Sequence, residues 1–308
     1  MSALAYGIQL PVQAQSTLFA EAWEAGAGPE DLVAVARAAE RAGFGYLACC
    51  DHVAVPRRLA RAMSTVWYDP VATLAHLAAV TGRIRLLSHV AVVGLRHPLL
   101  TAKQYATLDH LSGGRLVLGV GAGHVREEFE ALGVDFERRG ALLDETVDAL
   151  RAALGPQEFP EHHGKFYDFE GLGQRPRPAQ PAVPLWVGGS SPAAVRRAAL
   201  KGDGWLPQGD ARERLPAQVA RLRRLRDEAG AEGPFTVGAI AEPLYVGRPG
   251  WDTGPWTLTG APEEIAGSLR AYPAMGVDQI QVRFRSRSRA ELIEQIELFG
   301  AEVAPRLQ

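Results

Sequence analysis

Short apolar runs and amphipathic stretches alternate along the whole chain. Each run has the apolar content of a buried strand, and the stretch that follows it places apolar residues at helical spacing. Runs of this kind occupy residues 4–12, 46–50, 84–93, 116–120, 185–187, 205–206, 236–246 and 279–284. Eight buried strands that are each followed by a helix are typical of a parallel barrel. The pattern therefore predicts an α/β protein with the (β/α)8 TIM-barrel fold.

Helix boundaries carry their own signals. Pro29 fits a first helical position, and Asp69 before Pro70 reads as an N-cap followed by a first-turn proline. Ser288 and Glu291 have the spacing of a capping box. A doubly wound sheet is the competing architecture, but residues 10–12 after the first strand contain no glycine-rich fingerprint. These signals favour the barrel.

The alternation breaks after the fourth strand. Helical patterns, a hairpin-like stretch at residues 163–172 and a proline-rich segment at residues 175–184 separate the fourth strand from the fifth. We interpret roughly residues 125–184 as an insertion. The expected organisation is one domain over residues 1–308, a TIM barrel with an insertion between strands 4 and 5.

Composition narrows the class of protein. Hydrophobic residues make up 47% of the chain and the net charge is −2, so no basic field attracts nucleic acid or an anionic membrane. Apolar stretches are shorter than the ~18 residues that span a membrane. The start of the chain lacks the pattern of a signal peptide, and the adjacent Cys49 and Cys50 cannot build a disulfide framework. We expect a cytoplasmic protein with no nucleic-acid and no membrane partner.

The segment Gly188, Gly189, Ser190 and Ser191 follows the fifth strand and precedes Pro192. Two glycines let backbone N–H groups approach an anion, two hydroxyls can donate, and the helix start favours negative charge. Phosphate binding fits this arrangement. The alternative is that Ser191 only caps the helix and the glycines form a tight turn.

A second glycine-rich segment, Gly121, Ala122, Gly123 and His124, follows the fourth strand. Counted from Gly119, the third glycine of a G-x-G-x-x-G motif falls on His124, so the dinucleotide fingerprint fails. We interpret the glycines as room for a flat ring close to the barrel mouth. His124 is either a proton donor or a bystander.

Asp51 and His52 directly follow the second strand and combine a carboxylate with a group that titrates near neutrality. This pair suits proton transfer or contact with a ring nitrogen, the alternative being a loop cap beside a surface histidine. His89 in the third strand is either a hydrogen-bonded core residue or a catalyst. His162 and His163 lack partners with convincing ligand spacing, so we expect no metal site and place them on an exposed hairpin.

Several different short motifs are spread along nearly the whole chain. They are Ala39-Glu40-Arg41-Ala42-Gly43-Phe44, Asp51-His52, Arg96-His97-Pro98, Ala106-Thr107-Leu108-Asp109, Leu111-Ser112-Gly113-Gly114-Arg115, Leu118-Gly119-Val120-Gly121, Pro184-Leu185-Trp186-Val187-Gly188-Gly189 and Gly202-Asp203-Gly204-Trp205. In order and spacing they resemble the bacterial luciferase-like monooxygenase family, and within it the branch of coenzyme F420-dependent oxidoreductases.

The resemblance implies a barrel that holds a reduced flavin or deazaflavin with its ring over the mouth. Asp51 and His52 match the pair near the deazaflavin ring. His89 and Val90 match the third-strand site at which these proteins often have a cis peptide under the ring. Gly121, Ala122 and Gly123 match the cofactor loop after the fourth strand. Gly188, Gly189 and Ser190 match a phosphate-binding turn, and Ser191 follows them.

Two positions depart from the sugar-phosphate dehydrogenases of that branch. His124 stands where they carry a glutamate that acts as an acid, and Glu127 stands where an asparagine contacts the cofactor. We keep Glu127 in the expected cofactor site and consider a sugar phosphate an unsuitable substrate.

The expected function is hydride exchange between F420 and a small organic substrate, with His52 or His124 supplying or accepting the companion proton. The abundance of Ala, Arg and Gly is typical of a GC-rich genome, such as that of an actinobacterium that makes F420. One alternative is a monooxygenase that uses reduced FMN, and another is a non-catalytic flavin-binding barrel. Arg283 and Arg285 either bind an anion or pair with helix carboxylates. We expect a homo-oligomer, and specifically a dimer.

Overall fold

The computed structural model describes residues 4–17, 19–208 and 212–307. In chain order the strands of this part of the chain are β1 (Ala5–Gln9), β2 (Tyr46–Cys49), β3 (Arg85–Ser88), β4 (Leu116–Val120), β5 (His162–His163), β6 (Asp168–Phe169), β7 (Leu185–Gly188), β8 (Gly204–Leu206), β9 (Thr236–Ile240), β10 (Leu244–Val246), β11 (Leu258–Gly260) and β12 (Gln279–Val282). Eight of them form a closed parallel barrel in the order β1-β12-β9-β8-β7-β4-β3-β2. The predicted TIM-barrel fold is confirmed.

Helices surround the barrel. They are α1 (Pro29–Arg41), α2 (Ala60–Met63), α3 (Pro70–Ala78), α4 (Pro98–Ser112), α5 (Arg126–Ala131), α6 (Arg139–Leu154), α7 (Pro192–Lys201), α8 (Leu215–Glu228), α9 (Pro262–Leu269), α10 (Ala271–Ala274) and α11 (Arg289–Leu298). A π-helical turn at Phe299–Val303 extends α11. None of the helices in the described ranges is long and apolar enough to cross a membrane.

The helix boundaries follow from local chemistry. The carboxylate of Asp69 accepts a hydrogen bond from the backbone N–H of Ala72 and caps α3. In the same way Ser288 accepts from the backbone N–H of Glu291 and starts α11. Gly113, with φ of 68°, ends α4 in the left-handed conformation that glycine adopts without strain.

Two apolar layers build the core. Leu47 of β2 and Val187 of β7 belong to the layer between the strands and the helices. Because alternate strand residues point to opposite faces, their neighbours point into the barrel. The interior cluster consists of Tyr46, Ala48, Leu87, Val117, Trp186 and Leu206, with Val90 packed against it. The barrel is therefore filled by side chains up to the level at which Val90 lies.

The segment of residues 125–184 contains α5, α6 and the antiparallel hairpin β5–β6. Helix α6 packs against both α4 and α7, so it occupies the barrel's own fourth position in the helical ring. Only α5 and residues 155–184 are additional to that ring. The short helix α5 precedes α6 in the sequence, and its helical pattern made both look like inserted material.

The seventh strand, predicted within residues 236–246, is found there, and the same range holds a second strand. β9 ends at Ile240, and β10 begins after Pro243, which has no N–H to donate to a ladder. β10 pairs with β11 in a separate two-stranded sheet. The seventh barrel strand is therefore β9 alone.

Candidate functional site at the carboxyl ends of the strands

Val90 lies at the top of the barrel interior, between two glycines of neighbouring strands. A Cβ atom on Gly121 would lie 2.4 Å from a methyl of Val90, and one on Gly188 would lie 2.6 Å from its other methyl. Both distances are shorter than carbon atoms tolerate. These two glycines therefore make room for the side chain of Val90, which gives the mouth an apolar floor.

His89 precedes Val90, and the peptide bond between them is cis. The imidazole is 5% exposed, and its Nδ1 donates to Oε1 of Gln281 in β12 at 2.5 Å. Burial lowers the pKa of His89 to about 4, so the ring is neutral at pH 7. Its Nε2 has no hydrogen-bond partner within the described ranges. Of the two interpretations of His89, the structure shows the hydrogen-bonded core residue.

Asp51 is buried beneath the loop that follows β3. Arg96 donates to both carboxylate oxygens of Asp51, at 2.7 Å and 2.9 Å, and the backbone N–H of Val92 donates at 2.9 Å. These bonds join the end of β2 to the chain just after Val90. The visible role of Asp51 is thus to hold the floor of the mouth in place.

His52 lies against a carboxylate that the sequence analysis did not single out. Its Nδ1 is 2.9 Å from Oε2 of Glu128 in α5, and both side chains are nearly inaccessible, at 8% and 2% exposure. The other oxygen of Glu128 accepts from the backbone N–H groups of Val53 and Ala54 at 2.6 Å and 3.1 Å. Burial alone would raise the pKa of Glu128, but His52 and these donors outweigh burial and lower it. Glu128 therefore stays ionised at neutral pH.

Two further rings border His52. The indole of Trp67, from the loop between β2 and α3, meets it edge to face at 4.5 Å, and the imidazole of His124 does so at 5.4 Å. Desolvation and the proximity of His52 lower the pKa of His124. The structure thus brings together the two histidines predicted to handle protons.

Glu127 points to a different partner. Its carboxylate binds the guanidinium of Arg58, with an Nη2–Oε2 distance of 2.9 Å, and this ion pair lowers the pKa of Glu127 to about 2. The pair links α5 to the loop of residues 53–68 on the protein surface. The cofactor contact expected of Glu127 stays a prediction.

The turn after β7 uses both of its hydroxyls within the protein. The hydroxyl of Ser190 donates to the carbonyl of Gln208 and accepts from the N–H of the same residue. Ser191 accepts from the N–H of Ala194 and caps α7, as the capping alternative predicted. Gly189 has φ of 104°, a conformation that requires glycine here. The first turn of α7 is nevertheless exposed, and its dipole is available to an anion.

The two arginines at the end of β12 differ. Arg285 lies 3.0 Å from the carboxylate of Glu21, as the pairing alternative predicted. Arg283 lies over the ring of Phe19 at 5.6 Å, and burial, together with the charge of Arg285, lowers its pKa. The two arginines thus have different partners, a carboxylate for Arg285 and an aromatic ring for Arg283.

On the hairpin, the ligand atoms of Glu161, His163 and Glu170 lie within 4.8 Å of one another, and all three residues are exposed. Spacing along the sequence does not indicate this group, because Glu170 comes from the opposite side of the hairpin. Nδ1 of His163 bonds Asp168 at 2.7 Å. This group lies on the hairpin and takes no part in the mouth.

A ring-and-phosphate cofactor fits the residues at the mouth. Val90 offers an apolar surface on which a flat ring can lie, and the exposed start of α7 suits a phosphate. His52 and His124 border the same opening through the loops after β2 and β4. The arrangement can bind a planar cofactor and move one proton beside it.

The chain matches the family model described as luciferase-like monooxygenase over residues 6–249, well over half of its length. The protein therefore belongs to the luciferase-like monooxygenase family, a family of oxidoreductases and monooxygenases, as the sequence motifs indicated.

Relatives with different cofactors resemble this chain. An uncharacterized protein of Mycobacterium tuberculosis is 37% identical over 257 residues, which cover 78% of this chain and 90% of the relative. The FMNH2-dependent dimethylsulfone monooxygenase of Pseudomonas putida is 27% identical over 329 residues, with coverage of 88% and 86%. A solved structure of an F420-dependent secondary alcohol dehydrogenase, in complex with an F420-acetone adduct, shares 16% identity and has a TM-score of 0.80 with both chains fully covered. That structure supports the fold alone.

Proposed function

We propose that this protein is an F420-dependent oxidoreductase that transfers hydride between the deazaflavin and a small organic substrate. The observation that supports the proposal most is the imidazole of His52, which borders the mouth with its Nδ1 bound to Glu128. Hydride transfer to or from an organic substrate is accompanied by one proton, and a single positioned imidazole is suited to carry it. The motif resemblance to the F420 branch supports the choice of cofactor.

The residues of the mouth have separate roles. Val90 supports one face of the ring, and Asp51 with Arg96 fixes the loop that carries Val90. The start of α7 binds the phosphate through the helix dipole and backbone N–H groups. When bound, the deazaflavin supplies the hydride chemistry. His52 takes up or releases the companion proton at Nε2, and Trp67 shields His52 from bulk water.

A second candidate is a monooxygenase that uses reduced FMN. The similarity to the dimethylsulfone monooxygenase over 88% of this chain favours it. A third candidate, a non-catalytic flavin-binding barrel, has to be distinguished by experiment from the two enzymes. We further propose that the protein acts in the cytoplasm as a homodimer. Light scattering on the purified protein tests the dimer.

The experiment is a pair of binding titrations under anaerobic conditions, one with F420 and one with FMN in both redox states. We expect saturable quenching of F420 fluorescence and no displacement of F420 by FMN. Tight binding of reduced FMN with F420 excluded would instead establish the monooxygenase candidate. Binding of neither cofactor would overturn the assignment to a redox enzyme.

A matched pair of variants locates the bound phosphate. Ala193 is exposed in the first turn of α7. Ala193→Glu places a negative charge at that helix start, which suits the helix itself but repels a phosphate. Ala193→Lys has the opposite charge in the same place. We expect the glutamate variant to bind F420 at least tenfold more weakly than the lysine variant. Equal affinities would place the phosphate elsewhere.

A further inference from the structure

Glu128 holds three donors with one carboxylate. Oε2 lies 2.9 Å from Nδ1 of His52, and Oε1 accepts from the N–H groups of Val53 and Ala54. We propose that Glu128 is a positioning residue that fixes the proton of neutral His52 on Nδ1 and leaves the lone pair on Nε2 for the substrate. The inference rests on the proposed role of His52 as the proton carrier.

The tautomer follows from the chemistry of the two groups. An ionised carboxylate only accepts hydrogen bonds, so Nδ1 of His52 has to donate. In a neutral imidazole the other nitrogen is then an acceptor. No residue in the described ranges binds Nε2, whereas the ring faces of His52 are bordered by Trp67 and His124. Nε2 is thereby kept for a proton that arrives from outside the protein.

The charges around His52 leave Glu128 as the group that decides the tautomer. Asp51, its neighbour in sequence, is neutralised by Arg96. Glu127 on the same helix is bound to Arg58. The imidazole of His124 meets that of His52 edge to face, and no hydrogen bond joins the two rings within the described ranges. Trp67 has no charge.

The same carboxylate also fixes the path of the chain after His52. The loop of residues 53–68 starts with Val53 and Ala54, whose N–H groups both point to Glu128. The orientation of His52 and the start of this loop are therefore set by one side chain from α5. A side chain without a carboxylate at this position affects both together.

The test is nitrogen NMR of the protein labelled with ¹⁵N-histidine, at a pH at which His52 is neutral. The shifts of the two ring nitrogens show directly which one carries the proton. His52→Gln identifies the resonances of His52. We expect the Nδ1–H form in the wild type and in Glu127→Ala, the control on the same helix. In Glu128→Ala we expect a change towards the Nε2–H form, which free imidazole side chains favour, and a return to Nδ1–H in Glu128→Asp.

An Nε2–H form of His52 in the wild type would overturn the proposal, even if the variants do not fold. An unchanged Nδ1–H form in folded Glu128→Ala would also overturn it. The measurement needs no cofactor or substrate. Failure of F420 to bind in the titrations would therefore refute the proposed function and leave the role of Glu128 intact.

Discussion

We expect acid to destabilise this protein in part through His89. The ring is buried in the barrel, and its pKa falls from 6.5 to about 4 because burial penalises the charged form. In the unfolded chain the same ring is free to take up a proton near pH 6.5. As the pH falls below 6.5, the unfolded state therefore binds a proton that the folded state does not bind. The free energy of unfolding declines until the pH reaches about 4.

The size of the effect follows from those two pKa values. The full difference corresponds to about 3 kcal/mol, and about 2 kcal/mol of it is expressed by pH 5. His89→Asn keeps a polar atom where Nδ1 meets Gln281 and removes the titration. We expect the variant to be less stable than the wild type at pH 7, because packing is lost. The difference should shrink by about 2 kcal/mol at pH 5.

Urea unfolding of both proteins at pH 7 and pH 5 measures this change. Other groups whose pKa values are shifted, such as Glu21 and Glu24, are common to both proteins and cancel in the comparison. His110→Asn is the control, because this histidine is exposed at the end of α4. The difference in unfolding free energy between wild type and this variant should change by less than 1 kcal/mol between the two pH values. A gap between wild type and His89→Asn that stays constant between the two pH values would refute the reasoning.

Three substitutions test the structural roles at the mouth, each by urea unfolding. Asp51→Asn leaves the largely buried Arg96 without the carboxylate that it hydrogen-bonds, with only the more distant Asp69 at 3.9 Å, and should cost about 3 kcal/mol; a loss below 1 kcal/mol would contradict that role. Gly188→Ala places a methyl 2.6 Å from Val90 and should cost about 1–3 kcal/mol. Most of that loss should be absent when Val90→Ala is already present, whereas additive losses would show that the two do not touch. Ser191→Ala should cost about 1 kcal/mol because α7 loses its cap, and an unchanged stability would exclude the cap.

Most of the fold could be predicted from the sequence because its signals are local. The fourth strand was predicted at residues 116–120 and β4 has those bounds, since a continuous apolar run between Gly113-Gly114 and Gly121 admits one interpretation. The seventh strand could be placed only within residues 236–246, because the apolar pattern continues past Pro243 into β10. The place of α6 in the helical ring was missed because it depends on packing against α4 and α7, which no local pattern encodes.

The candidate site was only partly predictable, for the same reason. Strand ends identify His52 and His124 as neighbours of the mouth, because the carboxyl ends of parallel strands meet there. The contact between His52 and Glu128 spans 76 positions in sequence. Two glutamates in the first turn of α5 indicate a carboxylate near the mouth. The sequence does not show which of them meets His52, and Glu127 rather than Glu128 was predicted in the site. Gly121 was interpreted as room for a ring and Gly188 as part of a phosphate turn, and the structure shows that both also make room for Val90.

A flat cofactor bound as proposed lies on Val90 at the mouth of the barrel. Methyl NMR of the protein labelled at valine tests it most directly, with Val90→Ala to assign the Val90 resonances. When F420 saturates the protein, we expect the ring current of the bound cofactor to shift the resonances of both Val90 methyls. The methyls of Val33, on the outer face of α1, should stay in place. Saturation by F420 with Val90 unmoved would contradict the account.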